Sequence, residues 1–268
     1  MTILVTGATG QLGAPTLAAL RAAGREAAGS SSSGRNGLRP ADLFTGEGLD
    51  DALSDVETVI HCAQTGGRKD LRLVRNLTAA AQRAGVGHLV LISIVGIEDI
   101  PMPYYDQRVE IEKIAGASGV PLTIQRATQF HTLIDQLFSA QRRMPVVIAP
   151  ASRFQTIAVS EVAGRLADLA TGGPQGRVED IGGPEQLGIG ELFRQWRAAR
   201  GVRRPSLQIR LPFLKAFQGL DAGANLVPGE PFGRQTFAQY LQVVNGHSPA
   251  DSGVLMTPML LGLILTAS

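Results

Sequence analysis

The chain has 268 residues, of which 44% are hydrophobic and 18% charged, proportions typical of a folded protein with a substantial core. The formal net charge of +2 provides no extended positive surface and therefore argues against nucleic-acid binding. The single cysteine, Cys62, excludes an intramolecular disulfide and a cysteine-based zinc site, and it favours a reducing, cytoplasmic compartment.

Short apolar strands and helical patterns alternate along the first two-thirds of the chain, which is typical of a parallel sheet covered by helices. Strands are predicted at Thr2–Thr6, Arg25–Ser30, Leu38–Phe44, Glu57–Cys62, His88–Ser93 and Pro121–Arg126, and helices at Gln11–Ala23, Asp70–Ala84 and Tyr105–Ala117. The third strand contains Pro40 and is expected to be irregular. His88–Ser93 is apolar on both faces, so we place it near the centre of the sheet.

The alternation loosens after the sixth strand. Ser160–Ala170 is predicted as a helix with Ser160 as its N-cap, Arg177–Ile181 as a returning strand and Glu191–Arg200 as a helix. The predicted fold is α/β: a doubly wound parallel sheet of the Rossmann type with a small C-terminal lobe.

Three segments follow from this fold prediction. Residues 1–183 form the nucleotide-binding domain, with 131–158 contributing to the lobe, and residues 184–245 form the substrate-binding lobe. Residues 246–268 are an apolar tail of unassigned role, whose longest apolar run is shorter than the roughly 20 residues of a membrane span. No secretory signal is predicted at the start of the chain.

The segment Thr6–Gly13, TGATGQLG, lies where the first predicted strand passes into the first helix. Gly7 permits the tight turn, Gly10 lets the backbone approach a pyrophosphate, and Gly13 lets the helix pack closely on the strand. The helix N-terminus offers unpaired N–H groups and a partial positive charge to phosphate. This context predicts a dinucleotide site in the turn, made by Gly7, Thr9, Gly10, Gln11, Leu12 and Gly13.

TGATGQLG resembles the TGxxGxxG signature of the short-chain dehydrogenase/reductase superfamily, in its extended and atypical branches. Ile92–Gly96 (ISIVG), Tyr104–Tyr105 and Thr128–Phe130 (TQF) are similar to motifs of the NmrA-like subfamily of nucleotide-binding reductases and sensors. The resemblance implies a Rossmann fold that binds a nicotinamide dinucleotide. It further implies cofactor contacts at the strand ends, from Asp42, Leu43, Cys62, Ala63 and Ser93.

The end of the second strand bears on the choice between NAD and NADP. NAD sites commonly place a carboxylate there for the ribose 2′-hydroxyl, whereas this chain has Ser30–Ser33 and Arg35, with no acidic residue from there to Asp42. Hydroxyls and a guanidinium suit a 2′-phosphate. NADP is therefore favoured over NAD, with Ser31 and Arg35 as contacts, and a solvated loop is the structural alternative.

The catalytic set of the superfamily is incomplete. Its reductases use a serine with a tyrosine and a lysine spaced YxxxK, in which the tyrosine is a general acid. Tyr104 and Arg108 have that spacing, with a longer, planar arginine in place of lysine. Val95 stands where the serine is expected, and valine cannot donate a hydrogen bond. Tyr104 and Arg108 are the candidate catalytic residues.

The predicted substrate contacts are Val95, Tyr105, Gln129, Phe130 and His131, and three of these have structural alternatives. Tyr104 and Tyr105 either serve the substrate or form an aromatic pair that packs at the start of a helix. For Gln129 and His131, a hydrogen-bonded polar residue in a turn is the favoured interpretation. Cys62 is expected to be inert.

The sequence thus predicts an NADPH-dependent oxidoreductase that reduces a small electrophile, such as a quinone or a conjugated carbonyl. A reduced quinone can take its proton from water, so the missing serine matters less for it. Two alternatives stay open: a regulator that senses NADP without turnover and binds a protein partner, and a secondary-metabolism enzyme with a redox-neutral step. A small-molecule substrate is the expected partner; no nucleic acid, membrane or metal is expected, and a homo-oligomer is left open.

Overall fold

The computed structural model describes residues 2–210 and 213–245, so the predicted tail, 246–268, lies outside the described residues. The chain divides into two compact units. The first consists of the residues up to Ser93, Pro103–Arg126 and Val159–Glu179, and the second of Ile94–Met102, Ala127–Ala158 and the residues from Asp180 onward. Within the described ranges, no helix is both long enough and apolar enough to cross a bilayer.

Strands and helices alternate through the first unit. The strands in chain order are β1 Thr2–Thr6, β2 Ala27–Ser31, β3 Arg39–Pro40, β4 Val56–His61, β5 His88–Ile94, β6 Leu122–Ala127, β7 Val147–Pro150, β8 Arg153–Phe154, β9 Gly176–Arg177, β10 Leu187–Gly188 and β11 Ser206–Ile209. The helices are α1 Gly13–Ala22, α2 Leu49–Leu53, α3 Asp70–Ala84, α4 Pro103–Ala117, α5 His131–Ala140, α6 Val159–Thr171, α7 Ile189–Ala199, α8 Lys215–Asp221 and α9 Phe237–Asn245.

A seven-stranded parallel sheet, in the order β3-β2-β1-β4-β5-β6-β9, forms the centre of the first unit. Leu4 of β1 is paired with Ala28 of β2 and Val59 of β4. Leu4 and Val59 share an apolar core with α2, α3 and α4, while Ile3 and Val5 point to the opposite face. Helices α1 and α6 pack against each other. This arrangement confirms the predicted doubly wound sheet.

Most predicted elements of the first unit are present, and three predictions are corrected. The returning strand predicted at Arg177–Ile181 is limited to Gly176–Arg177. Thr2–Thr6 and Asp70–Ala84 agree to the residue. The third strand pairs only over Arg39–Pro40, because the chain turns directly afterwards. Ser160 is not an N-cap, because α6 already begins at Val159.

The second unit contains helices that were not predicted from the sequence, α5, α8 and α9 among them. Its two small sheets pair β8 with β10 in antiparallel and β7 with β11 in parallel orientation. Phe138 meets Phe193 edge to face at a centroid distance of 5.2 Å, and Phe193 stacks on Trp196 at 6.0 Å. These rings are buried and form the core of this unit.

A buried carboxylate connects three helices of the second unit. Asp135 of α5 accepts hydrogen bonds from Trp196 Nε1 at 2.7 Å, Arg200 at 2.8 Å and the Tyr240 hydroxyl at 3.2 Å. Burial, together with the charge of Asp135, raises the pKa of Tyr240. Because each donor is paired with Asp135, this network stabilises the packing of α5, α7 and α9.

Candidate functional site

The glycine turn between β1 and α1 is packed closely on its inner side. Gly7 has a positive φ of 65°, and a Cβ there would lie 2.7 Å from the Cα of Ala63, just past the end of β4. A Cβ on Gly13 would overlap the carbonyl oxygen of Gly7. Both positions therefore require glycine for the fold itself.

Gly10 differs from the other two glycines because a Cβ there would meet only one atom, the Gly7 carbonyl oxygen at 3.1 Å. Thr9, Gly10 and Gln11 are exposed, whereas the side chain of Leu12 is buried in the core. The outer side of the turn is thus open, and Leu12 offers a ligand only its backbone.

The N-terminus of α1 suits a phosphate. Among the described residues, no side chain caps this end of the helix, and its first turn has no acidic residue. Pro15 lies in that first turn, where its missing N–H removes no intrahelical hydrogen bond. The N–H groups and the positive end of the helix dipole are the donors that a diphosphate requires, so the residues fit a dinucleotide.

The segment after β2 contains the residues predicted for the 2′-phosphate. Ser31 Oγ accepts the N–H of Gly34 at 3.2 Å, and Arg35 is exposed in the following turn. Asp42 Oδ1 accepts the N–H groups of Phe44 at 2.7 Å and Thr45 at 3.2 Å. The Asp42 carboxylate is therefore engaged in its own turn.

A groove of about 610 Å³ opens beside this segment, with Ser32 and Asp42 among the residues of its wall. Leu43, the neighbour of Asp42, is buried in the core of the first unit. Of the predicted pair, Asp42 thus borders open space, whereas Leu43 packs inward.

His61 and Cys62 end the fourth strand as neutral groups. His61 Nδ1 lies 2.8 Å from the Thr6 hydroxyl. Burial, and to a smaller extent the charge of Arg108, lowers the pKa of His61 to about 3. Burial raises the pKa of the Cys62 thiol to about 12, so it stays protonated, which supports the expectation that it is inert.

Tyr104 and Arg108 lie one turn apart on the same face of α4. The Tyr104 hydroxyl donates to Gln64 Oε1 at 3.0 Å. Burial raises the pKa of Tyr104, Asp70 adds to this effect, and Arg108 opposes it. Tyr105 is buried beside Tyr104, with ring centroids 6.3 Å apart, as the structural alternative expects.

Arg108 is buried, and it has no carboxylate partner among residues 2–210 and 213–245. Its exposure is 5%, and its guanidinium donates to the carbonyl of Ile92 near the end of β5. In the part of the chain that the structure describes, neither Arg108 Nε nor the buried Ser93 Oγ has a hydrogen-bond partner. Two unsatisfied polar atoms at the carboxyl end of one strand are consistent with a site that a ligand completes.

The other predicted substrate residues belong to the second unit. Val95 is buried and its N–H donates to Ala127. The Gln129 carbonyl accepts the N–H of Ile157 at 3.0 Å, and Phe130 is half-buried immediately before α5.

His131 begins α5 rather than lying in a turn. It is 1% exposed, with Nδ1 2.8 Å from the Thr156 hydroxyl and Nε2 donating to the Gln235 carbonyl at 2.9 Å. Both ring nitrogens are thus occupied, and the geometry favours the structural interpretation.

Two residues of the site were missed by sequence reasoning, Gln64 and Asp70. Gln64 is exposed in the loop after β4, and Asp70 is the buried first residue of α3. Neither belongs to a motif, and only the fold brings Gln64 next to Tyr104. No local sequence pattern predicts a contact between two residues that are forty positions apart.

Comparison with known proteins identifies the nucleotide-binding part of the chain. Residues 7–133 match the NAD(P)H-binding family. No curated protein sequence matches the chain.

Three solved structures share its fold. An NADPH-dependent quinone oxidoreductase from Escherichia coli, solved with NADPH, is 20% identical, covers 90% of this chain and 99% of its own, and has a TM-score of 0.76. The triphenylmethane reductase of Citrobacter sp., complexed with NADP(H), is 16% identical to this chain. The match covers 91% of this chain and 99% of the reductase, with a TM-score of 0.73. A nucleoside-diphosphate-sugar epimerase from Staphylococcus aureus is 20% identical to this chain. The match covers 90% of this chain and 100% of the epimerase, with a TM-score of 0.72. At these identities the likeness shows the fold alone, and the family match assigns NAD(P)H binding to residues 7–133.

Proposed function

We propose that this chain, an atypical short-chain dehydrogenase/reductase whose residues 7–133 match the NAD(P)H-binding family, reduces a small electrophile such as a quinone or a conjugated carbonyl. The observation that carries the proposal is the combination of an open glycine turn at Gly10 with an incomplete set of acids. Val95 has no proton to donate, and the hydroxyl of Tyr104 already donates a hydrogen bond to Gln64. Such a site suits acceptors that need no protein acid.

The cofactor, when bound, supplies a hydride to the acceptor. The backbone N–H groups of Thr9 and of Gln11 to Gly13 would hold its diphosphate, whereas the Gly10 N–H already donates to the Gly7 carbonyl at 2.8 Å. Ser31 with Arg35 would hold a 2′-phosphate. Arg108 stands in place of the lysine of the YxxxK pattern and keeps a permanent positive charge near the end of β5. NADP is the proposed cofactor because these groups are cationic or neutral.

Proton supply distinguishes the possible acceptors. Hydride addition to a ketone gives a strongly basic alkoxide, which needs an acid at the moment of transfer. Hydride addition to a quinone gives a weakly basic phenolate, which afterwards takes up one proton from water. Because burial raises the pKa of Tyr104, its phenol is a weak acid here, and the quinone class is favoured.

A regulator that senses NADP without turnover is the second candidate. It is supported by the partners of Tyr104 and Arg108, since the first donates to Gln64 and the second to the Ile92 carbonyl. For a redox-neutral enzyme, the support is limited to the fold shared with a sugar epimerase.

Oxidation of NADPH, followed at 340 nm with a panel of benzoquinones, naphthoquinones and conjugated enones, tests the proposal. Steady turnover with quinones supports it. Tight NADPH binding without turnover, together with a co-purifying protein, would identify the chain as a regulator instead.

The Tyr104→Phe variant is expected to reduce quinones at a rate within about tenfold of the wild type, because acid catalysis by Tyr104 would be worth roughly 100-fold or more. The rate is measured at saturating NADPH, with Tyr240→Phe as a matched control in the second unit. A quinone rate that falls by more than about 100-fold would establish Tyr104 as a true acid.

The Arg35→Ala variant is expected to weaken NADPH binding by about tenfold, since one exposed guanidinium–phosphate pair contributes roughly 1–1.5 kcal/mol. NADH binding should not change, because NADH lacks the 2′-phosphate. Arg25→Ala is the control, as Arg25 is exposed before the amino end of β2. Equal losses for NADPH and NADH would exclude Arg35 as the 2′-phosphate contact.

A further inference from the structure

The hydroxyl of Tyr104 has a defined partner in the protein, which fixes the direction of its only proton. It donates to Gln64 Oε1 at 3.0 Å. An amide carbonyl oxygen can only accept, so the hydrogen lies between the two oxygens. The lone pairs of the phenol oxygen point elsewhere, so a group that hydrogen-bonds to them must be a donor.

Gln64 lies in a loop whose following residues are tied to the start of α3. Asp70 Oδ1 accepts the N–H of Thr65 at 2.6 Å and the Thr65 hydroxyl at 2.7 Å, and Oδ2 accepts the N–H of Gly66 at 3.3 Å. Asp70 is only 3% exposed and is the first residue of α3, where the helix dipole stabilises its charge.

The other side of Gln64 is also restrained. Ala63 lies against Gly7, which would not admit even a Cβ, and His61 at the end of β4 is held near Thr6. The backbone of Gln64 therefore sits between two fixed points, the strand end and the Asp70 contacts. This restraint fixes the backbone position from which the exposed side chain of Gln64 reaches the Tyr104 hydroxyl.

We infer that Gln64, held by the Asp70 contacts, is a positioning residue that withholds the Tyr104 proton from the acceptor. The inference rests on the proposed function and deepens it, because it explains which acceptors are excluded. With the proton engaged, a simple ketone lacks an acid at the moment of hydride transfer, whereas a quinone does not need one. Gln64 thus determines selectivity for quinones over weakly activated carbonyls.

The test uses three single variants of the full chain. Gln64→Leu removes the acceptor, Gln64→Glu retains an acceptor oxygen, and Gln82→Leu makes the same change at an exposed position of α3. In Gln64→Leu the Tyr104 proton is free, so the ratio of kcat/KM for a simple ketone to that for a quinone should rise about tenfold or more. Gln82→Leu should keep the wild-type ratio, and Gln64→Glu should not raise it.

Ionisation of the phenol gives a second measurement that needs no turnover. The chain has three tyrosines, so absorbance at 295 nm with Tyr104→Phe as reference isolates Tyr104. Donation to Gln64 stabilises the neutral phenol. The pKa of Tyr104 should therefore rise in Gln64→Glu, next to the added negative charge, and stay constant in Gln82→Leu.

An unchanged selectivity ratio in Gln64→Leu would overturn the inference, and so would a Tyr104 titration in Gln64→Glu identical to that of the wild type. Absence of NADPH oxidation with every acceptor is a different outcome. It would overturn the proposed function, while the titration alone would still show whether Gln64 orients Tyr104.

Discussion

In the Gly10→Val variant, affinity for NADPH is expected to fall about a hundredfold or more, a loss of roughly 3 kcal/mol in binding free energy. The outer side of the turn is where Gly10 lets backbone N–H groups approach the diphosphate, and a branched side chain would occupy that space. The fold should be affected less than by a side chain at Gly7 or Gly13, because a Cβ at Gly10 is close to the Gly7 carbonyl oxygen alone, at 3.1 Å, and a shift of a few tenths of an ångström relieves that contact.

The same substitution at Gly7 or Gly13 tests something else. A side chain at Gly7 would meet the backbone of Ala63 and force a positive φ on a branched residue. At Gly13 it would overlap the Gly7 carbonyl. Variants at these two positions should lose thermal stability as well as cofactor, so only Gly10 separates binding from folding.

NADPH affinity is measured by quenching of protein fluorescence or by calorimetry, and folding by thermal unfolding without cofactor. Gly164→Val in α6 is the matched control, because its added side chain meets open space. A Gly10→Val protein that binds NADPH as tightly as Gly164→Val would refute the cofactor assignment of this turn. Loss of binding accompanied by a collapsed fold would refute the separation of roles between the three glycines.

Residue patterns predicted the first unit well because its signals are local. The apolar run Thr2–Thr6, the glycine turn and the amphipathic helix Asp70–Ala84 can each be recognised within a window shorter than twenty residues. Where a prediction for this unit was wrong, a local hydrogen bond outweighed the hydrophobic pattern of the sequence. Asp42 accepts hydrogen bonds from Phe44 and Thr45, and this turn chemistry ends the third strand early.

The second unit was less predictable because its stability depends on distant contacts. Asp135 connects Trp196 and Tyr240, and His131 reaches the Gln235 carbonyl, across separations of 61 to 105 residues. None of these contacts corresponds to a periodic pattern in the sequence. The candidate site shows the same division, since the glycine turn was evident from sequence whereas the Tyr104–Gln64 contact depended on the fold.

Buried neutral histidines predict that the first unit is sensitive to acid. Burial lowers the pKa of His61 to about 3 and also lowers the pKa of His88, so both favour the uncharged ring in the folded state. An unfolded chain has ordinary histidines that protonate near pH 6.5. Between these values the unfolded state binds more protons, and the free energy of unfolding must therefore decrease as the pH falls below about 6.5.

For His61 alone, this linkage predicts a loss of about 2 kcal/mol between pH 6.5 and 5, and about 4 kcal/mol between pH 6.5 and 3. The His61→Asn variant cannot titrate, yet its amide can still bond to the Thr6 hydroxyl, which lies 2.8 Å from His61 Nδ1. Urea unfolding followed by circular dichroism should show a slope with pH that is shallower by nearly one proton in His61→Asn between pH 6.5 and 5. The carboxylates protonate mainly below this window, so they do not obscure the difference. An unchanged slope in His61→Asn, or a wild-type His61 C2–H resonance that titrates near pH 6.5, would contradict the neutral, buried ring.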